Sequence, residues 1–325
     1  MFQEILFVII GAALVLLGAD KLTDGSVGVA RRFSISEMVI GLTIVALGTS
    51  LPEFVVSLLA SINGSGGMSV GNIVGSNLFN TLAIVGCTAM VGTISVPGST
   101  IVKDIPFVIL ASVILFAVAC DQILGESSTA DVISRGDGLA LLAFFVIFMY
   151  STLKLALNRV VVPEQSEADA SGPSESMPIW KMVTFILIGL VALIGGGQLF
   201  VEGASGVARS LGISDAVIGL TLVAGGTSLP ELATSVIAAR KGQSGMAIGN
   251  VIGSNLFNIF FILGACSLVQ PLPVEGITWV DFSVLLASAL LFWIFSRTNH
   301  RITRGEGFIL LLFYLVYIGW LIMNI

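Results

Sequence analysis

Two glutamates, Glu53 and Glu231, end matching octapeptides, Ala46-Leu47-Gly48-Thr49-Ser50-Leu51-Pro52-Glu53 and Ala224-Gly225-Gly226-Thr227-Ser228-Leu229-Pro230-Glu231, inside long apolar stretches. A charged residue at the centre of a membrane helix costs about 2.5–3.5 kcal/mol even on lenient insertion scales. This chain bears that penalty twice with no Lys or Arg beside either Glu, which favours cation handling over structural pairing. Pro52 lacks an amide hydrogen and its ring clashes with the carbonyl four residues earlier, so carbonyls around Ala46 to Gly48 are freed. Thr49 and Ser50 lie four and three residues before Glu53, on one helical face with it, and the second copy repeats every element. A stripe of neutral oxygen donors follows at spacing four: Asn72, Ser76 and Asn80, mirrored by Asn250, Ser254 and Asn258. Asn72 and Asn250 also suit interhelical hydrogen bonding, a common use of polar side chains in membrane helices. Two carboxylates with several carbonyl, hydroxyl and amide oxygens suit Ca²⁺, which takes 6–8 oxygen ligands in flexible geometry; Mg²⁺ demands a stricter octahedron. Two negative charges neutralise one Ca²⁺ or two Na⁺, and competition for one set of oxygens would make exchange obligatory.

The elements that position these residues come in pairs. From Ser36 to Asn80, 27 of 45 positions are identical to those 178 residues later, without a gap. The same offset relates Gly18–Arg31 to Gly196–Arg209, so the apolar N-terminal run is expected to be a first span and not a cleaved signal. Of 325 residues, 56% are hydrophobic and 10% charged, against about 25% charged in soluble domains. The chain therefore reads as an all-α polytopic membrane protein.

Apolar runs of about 20 residues cross a bilayer as helices. Ten are expected, near 4–30, 36–61, 68–92, 104–121, 138–157, 179–206, 214–239, 246–270, 279–297 and 305–324. Five belong to a first repeat (1–157) and five to a second (179–325), separated by an acidic, small-residue linker (158–178) that reads as a tether. An odd number of spans per repeat makes the halves inverted with respect to each other. With both termini outside, Arg31, Arg32, Lys103, Lys154, Arg159, Lys181, Arg240, Lys241, Arg297, Arg301 and Arg304 fall on the cytoplasmic side, so the positive-inside rule places the linker there.

Gly48 to Glu53 with Gly71-Asn72-Ile73-Val74-Gly75-Ser76-Asn77, and Gly226 to Glu231 with Gly249 to Asn255, resemble the alpha repeats of the cation/calcium exchanger superfamily, specifically of prokaryotic sodium/calcium exchangers. The resemblance spans essentially the whole chain. It implies a secondary active transporter of the prokaryotic cytoplasmic membrane, not an enzyme, with Ca²⁺ and Na⁺ as transported ions, no cofactor and no nucleic-acid partner. It also implies that Glu53 and Glu231 are the main ligands. Thr49, Ser50, Thr227, Ser228, Ser76, Ser254, Asn80 and Asn258 would complete the sites, with carbonyls near Ala46 and Ala224. The second, third, seventh and eighth spans would form a central core across which the first and sixth slide, and Gly25, Gly28, Gly203 and Gly206 would suit either a sliding contact or plain close packing. Many exchangers carry Asp at one of the positions held here by Asn80 and Asn258. Asn at both gives a pocket of fixed formal charge −2 and argues against potassium co-transport.

A Ca²⁺/H⁺ antiporter is the nearest alternative, because buried glutamates can take protons; a cation channel and an intramembrane protease are more distant ones. Remaining polar residues have plainer readings. Cys87, Cys120 and Cys266 sit in apolar stretches as packing residues, and with His300 the lone histidine a transition-metal site is disfavoured. Glu37 and Asp215 follow Ser36 and Ser214 at span starts as capping groups, and Asp104 and Asp281 are expected in similar places. Asp20, Lys21 and Asp24 could line a vestibule or pair with one another.

Overall fold

The computed structural model describes residues 2–123, 131–159, 177–211 and 224–323, with Ala224 and 155–159 described by their backbone alone. In chain order the helices are α1 (Phe2–Arg32), α2 (Glu37–Thr49), α3 (Leu51–Ile62), α4 (Gly66–Val91), α5 (Thr100–Ala119), α6 (Arg135–Arg159) and α7 (Ile179–Ser210). There follow α8 (Ala224–Gly226), α9 (Leu229–Arg240), α10 (Ser244–Val269), α11 (Trp279–Arg297) and α12 (Arg304–Met323). Among the described residues eight helices are long and apolar enough to cross a membrane, and α2 with α3, bent by 47° at their junction, make a ninth if counted as one span. The expected seventh span falls partly outside the described residues, as do its cap residues Ser214 and Asp215 and most of the linker.

Helix starts follow their capping residues. Ser36 Oγ accepts from Val39 N at 3.3 Å, with Glu37 in the first turn. Thr278 and Asp281 form a reciprocal capping box, and Tyr317 Oη donates to Asp281 Oδ1 at 2.7 Å, tying α12 to the start of α11. Asp104 departs from expectation. It ends a π-helical turn, Thr100–Asp104, that opens α5, so the helix begins four residues before the aspartate. Further π-helical stretches occupy Gly41–Val45, Phe79–Ile84 and Phe257–Leu263 within α2, α4 and α10.

The central pair is α4 and α10: 78% and 83% of their apolar windows are buried, against 28% for α1 and 11% for α12. Leu78, Leu82, Ile84, Leu256, Ile259 and Phe260 are fully buried there and join one apolar cluster with Phe282 and Phe292 of α11. Glycine lets backbones meet in this core: a methyl on Gly249 would lie 2.6 Å from Met38 O, and one on Gly253 2.7 Å from Leu42 O, so α2 rests directly on α10. Loops from the two halves are stitched by short antiparallel pairs, β1 (Ile94–Ser95) with β4 (Arg301–Ile302) and β2 (Val132–Ile133) with β3 (Leu272–Pro273).

Outside this core α1 and α7 run antiparallel along their length. A methyl at Gly11 would meet Phe200 N at 2.5 Å, at Gly18 Gly189 O at 2.8 Å, at Gly25 Met182 O at 2.9 Å, and at Gly203 Glu4 O at 2.5 Å. Gly11, Gly18 and Gly25 recur every seven residues, and their partners 178 residues on are Gly189, Gly196 and Gly203, so one glycine seam serves both helices. Such close backbone approach is how membrane helices gain dispersion energy where burial from water drives nothing. Substituting Gly18→Val should lower the thermal midpoint in detergent, since overpacking costs about 1–3 kcal/mol. Gly195→Ala, with nothing within 4 Å of the new methyl, should leave it unchanged or higher; equal effects of the two would refute the seam.

Candidate functional site

Pro52 does not kink a continuous helix; it starts a new one. α2 ends at Thr49, Ser50 leaves helical geometry (φ −84°, ψ 7°), and Pro52 stands in the first turn of α3, where its missing N–H is harmless. The copy does the same, with Ser228 at φ −91°, ψ 8° and Pro230 in the first turn of α9. Glu53 and Glu231 therefore each sit in the first turn of a helix, where unpaired N–H groups and the macrodipole favour negative charge. Both are fully buried, and among the described residues no ion pair reaches either of them.

The hydroxyls serve the opposite repeat. Sequence spacing places Ser50 beside Glu53 on one helix, but the break at Ser50 turns its hydroxyl away. Ser50 Oγ donates to Glu231 Oε1 at 2.9 Å, and Ser228 Oγ donates to Glu53 Oε1 at 2.8 Å. Each carboxylate is thus held by the loop that carries the other, which brings the two glutamates to one place. Ser76 Oγ lies 3.4 Å from Glu53 Oε1 and 3.0 Å from Ser228 Oγ. Thr49 Oγ1 lies 3.1 Å from Asn250 Oδ1 and 3.4 Å from the Ala46 carbonyl, which also accepts from Ser50 N at 3.0 Å. Thr227 is half-buried in the break before α9, and Ser254 is fully buried on α10. Ala224 opens the three-residue helix α8.

Asn80 and Asn258 fall inside the π-helical stretches of α4 and α10, an irregularity frequent at functional positions. The widened turns were not legible from periodicity. Asn258 Nδ2 donates to Ser76 Oγ at 3.1 Å and to Asn77 Oδ1 at 2.9 Å. Glu53 Oε2, Glu231 Oε2, Asn80 Oδ1 and Asn258 Oδ1 are all buried oxygens with no donor. The two carboxylates, with neutral hydroxyls bonded to them and Asn258 joined through Ser76, form an oxygen-rich, net-negative environment fitted to a hard cation. Asn80 has both its side-chain nitrogen and oxygen buried without a partner. Among the described residues no three His, Cys, Asp or Glu gather, so a thiolate or imidazole cage is absent there.

Other polar residues hold this arrangement. Asn72 Nδ2 donates to the Glu53 carbonyl at 3.3 Å and Ser57 Oγ at 2.9 Å; Asn250 Nδ2 repeats this to the Glu231 carbonyl at 3.3 Å and Ser235 Oγ at 3.0 Å. The interhelical hydrogen-bonding role of Asn72 and Asn250 is thereby seen directly. Asn77, Asn255, Thr81, Ser57 and Ser235 were missed as supports. Asn77 Nδ2 donates to the Asn255 carbonyl at 3.2 Å, and Asn255 Nδ2 to Thr81 Oγ1 at 2.8 Å. Identity across the 178-residue offset flags Asn77/Asn255 and Ser57/Ser235, whereas Thr81 faces Ile259 in that comparison and carries no such signal.

The family model described as sodium/calcium exchanger protein matches residues 4–154 and 181–323. The chain belongs to the sodium/calcium exchanger family. This exchanger is 32% identical over 338 aligned residues to the sodium/calcium exchanger MaX1 of Methanosarcina acetivorans, covering 96% of this chain and 97% of that one. It is 37% identical over 321 residues to the membrane protein MJ0091 of Methanocaldococcus jannaschii, covering 98% of each. Its fold matches the solved structure of the sodium-calcium exchanger NCX_Mj soaked with Na⁺ and Ca²⁺, with TM-score 0.82, 34% identity and 97% of each chain covered.

The support network makes a prediction. Asn77→Ala leaves the buried Asn258 amide and the Asn255 carbonyl each short of a partner, which should destabilise the exchanger by about 1–3 kcal/mol. Thermal unfolding in detergent reads this, and an unchanged midpoint would show that the network carries no energy.

Proposed function

We propose that this exchanger moves Ca²⁺ against Na⁺ by alternating access, with Glu53 and Glu231 as the shared ligands. The reading rests above all on one observation: two fully buried carboxylates, each tethered by the other's loop, each keep one oxygen without a donor. Bare, the pair would be too unfavourable to carry across; neutralised by one Ca²⁺ or two Na⁺, it becomes mobile. Thr49, Ser50, Thr227, Ser228, Ser76, Ser254, Asn80 and Asn258 supply neutral oxygens around it. The carbonyls of Ala46 and Ala224 add backbone oxygens to the set.

The architecture proposed is ten spans in two inverted five-helix repeats, 1–157 and 179–325, with the linker 158–178 and the Arg- and Lys-rich loops in the cytoplasm and both termini outside. The crossed serine–glutamate bonds and the α1/α7 glycine contacts support two-fold symmetry, since each contact recurs between the twins of its two residues, and the antiparallel run of α1 and α7 supports inversion. α1 and α7 slide as one unit across the core of α2, α3, α4, α9 and α10. Their glycine contact keeps them together, while the branched apolar side chains they turn outward face lipid.

Protons are the competing counter-ion, because the donors around both carboxylates are neutral hydroxyls that tolerate a protonated acid. Proteoliposomes loaded with Na⁺, held at equal pH inside and out with a protonophore present, should take up Ca²⁺ when diluted into Na⁺-free buffer. Glu53→Gln and Glu231→Gln should each reduce that uptake more than tenfold. Uptake driven by a pH gradient and indifferent to Na⁺ would assign the proton as counter-ion, and flux without coupling to either gradient would indicate a channel.

A further inference from the structure

Lys241, immediately after α9, bridges to α1 through three contacts. Its Nζ lies 2.6 Å from Asp20 Oδ1, 2.7 Å from Asp24 Oδ1 and 3.3 Å from the Asp20 carbonyl. Asp20 and Asp24 are one turn apart on the same face of α1. Lys241 also ends a stripe on α9. Glu231, Thr234, Ala238 and Lys241 follow at spacings of three, four and three, so they share one helical face and span about 15 Å from the ion-site carboxylate to the end of the helix. Glu231, Thr234 and Ala238 are fully buried. Ala238 packs in one apolar cluster with Ala19 and Leu22 of α1, so α1 covers the Ala238 end of this stripe and the ion pairs pin it there. On that face, between Glu231 and Ala238, the Thr234 hydroxyl is buried without a partner.

The repeat makes the position informative. Residues 178 away from Asp20, Asp24 and Lys241 are Gln198, Glu202 and Asn63. The same cation-centred triad cannot form at the symmetry-related place. Two identical halves would give two end states of equal energy, whereas a contact available to one end alone makes them unequal.

We propose that Lys241, Asp20 and Asp24 form a one-sided latch. It closes the ion pathway at the end carrying Arg31, Arg32 and Arg240, and it shifts the resting population toward the state open on the opposite side. The inference rests on the alternating-access reading above but on different residues, none of them a proposed ion ligand. The side chains are about a third exposed, so each pair contributes modestly and the population shift on breaking the latch is about threefold.

The test is thiol accessibility in the full chain. Cys87, Cys120 and Cys266 are replaced by alanine, Ala238→Cys is introduced under α1, and inside-out vesicles receive a membrane-impermeant maleimide. Lys241→Met should speed labelling about threefold, and Asp20→Asn with Asp24→Asn should do the same if the lysine variant folds poorly. Removing a nearby positive charge disfavours the thiolate, so faster labelling of the lysine variant reports opening and not altered reactivity. Removing the two carboxylates favours the thiolate, so for the aspartate variants only an increase that persists at a pH where the thiol is fully ionised counts as opening. Lys241→Asp combined with Asp24→Lys and Asp20→Asn should restore slow labelling. Rates unchanged in both neutral variants, or not restored by the swap, would overturn the latch. Ca²⁺ uptake in parallel vesicles keeps the two readings apart: labelling that responds as described in vesicles taking up no Ca²⁺ preserves the latch and removes the exchange.

Discussion

Everything in this fold answers to the cost of holding two carboxylates out of water with no positive side chain beside them. A single buried charge in a medium of low dielectric loses far more hydration than any one hydrogen bond returns. The chain offsets this in three ways: the first turn of a helix under each glutamate, a serine hydroxyl donated from the opposite loop, and a serine and asparagine lattice from α4 and α10. None of these supplies a full unit of positive charge. The remaining deficit is what a transported cation would fill, and it is why the proposed site needs its cargo in order to move.

The same deficit sorts the helices into two roles. The segments that carry the proposed ligands must hold their geometry, and they are broken or π-widened and glycine-packed at the centre. α1 and α7 carry none of the proposed ligands and meet each other backbone to backbone through glycines seven residues apart. A seam of that kind lets the two helices move as one unit, while Leu190 and Val201 of α7 seat against Gly48 and Gly226 of the core. Lys241 with Asp20 and Asp24 then gives that unit one preferred stopping place.

Much of this was legible before any coordinates. A gapless repeat with a fixed offset exposed the paired glutamates, the proline breaks, the asparagine stripes and the glycines of α1 and α7, because duplication acts as an internal comparison where hydropathy alone is monotonous. Capping at Ser36 and the place of Asp281 at the start of α11 were readable from residue type, whereas Thr278 as its capping-box partner was not singled out. What escaped the sequence depended on the third dimension. Helical spacing put Ser50 with Glu53, but one non-helical residue at the junction rotates the hydroxyl to Glu231. The π-helical turns around Asn80 and Asn258, and the early start of α5 ahead of Asp104, leave no trace in periodicity, since one extra residue per turn is set by packing. Thr81 had no twin to draw attention to it, and Lys241 meets Asp20 and Asp24 across more than two hundred residues of chain.

Equilibrium ⁴⁵Ca²⁺ binding to the purified protein in detergent, with and without competing Na⁺, bears most directly on the central claim of one shared site. The prediction is a single Na⁺-displaceable Ca²⁺ per chain that disappears entirely in Glu53→Gln and, separately, in Glu231→Gln. Retention of half the bound Ca²⁺ in either variant would mean two independent carboxylate sites and would contradict the account.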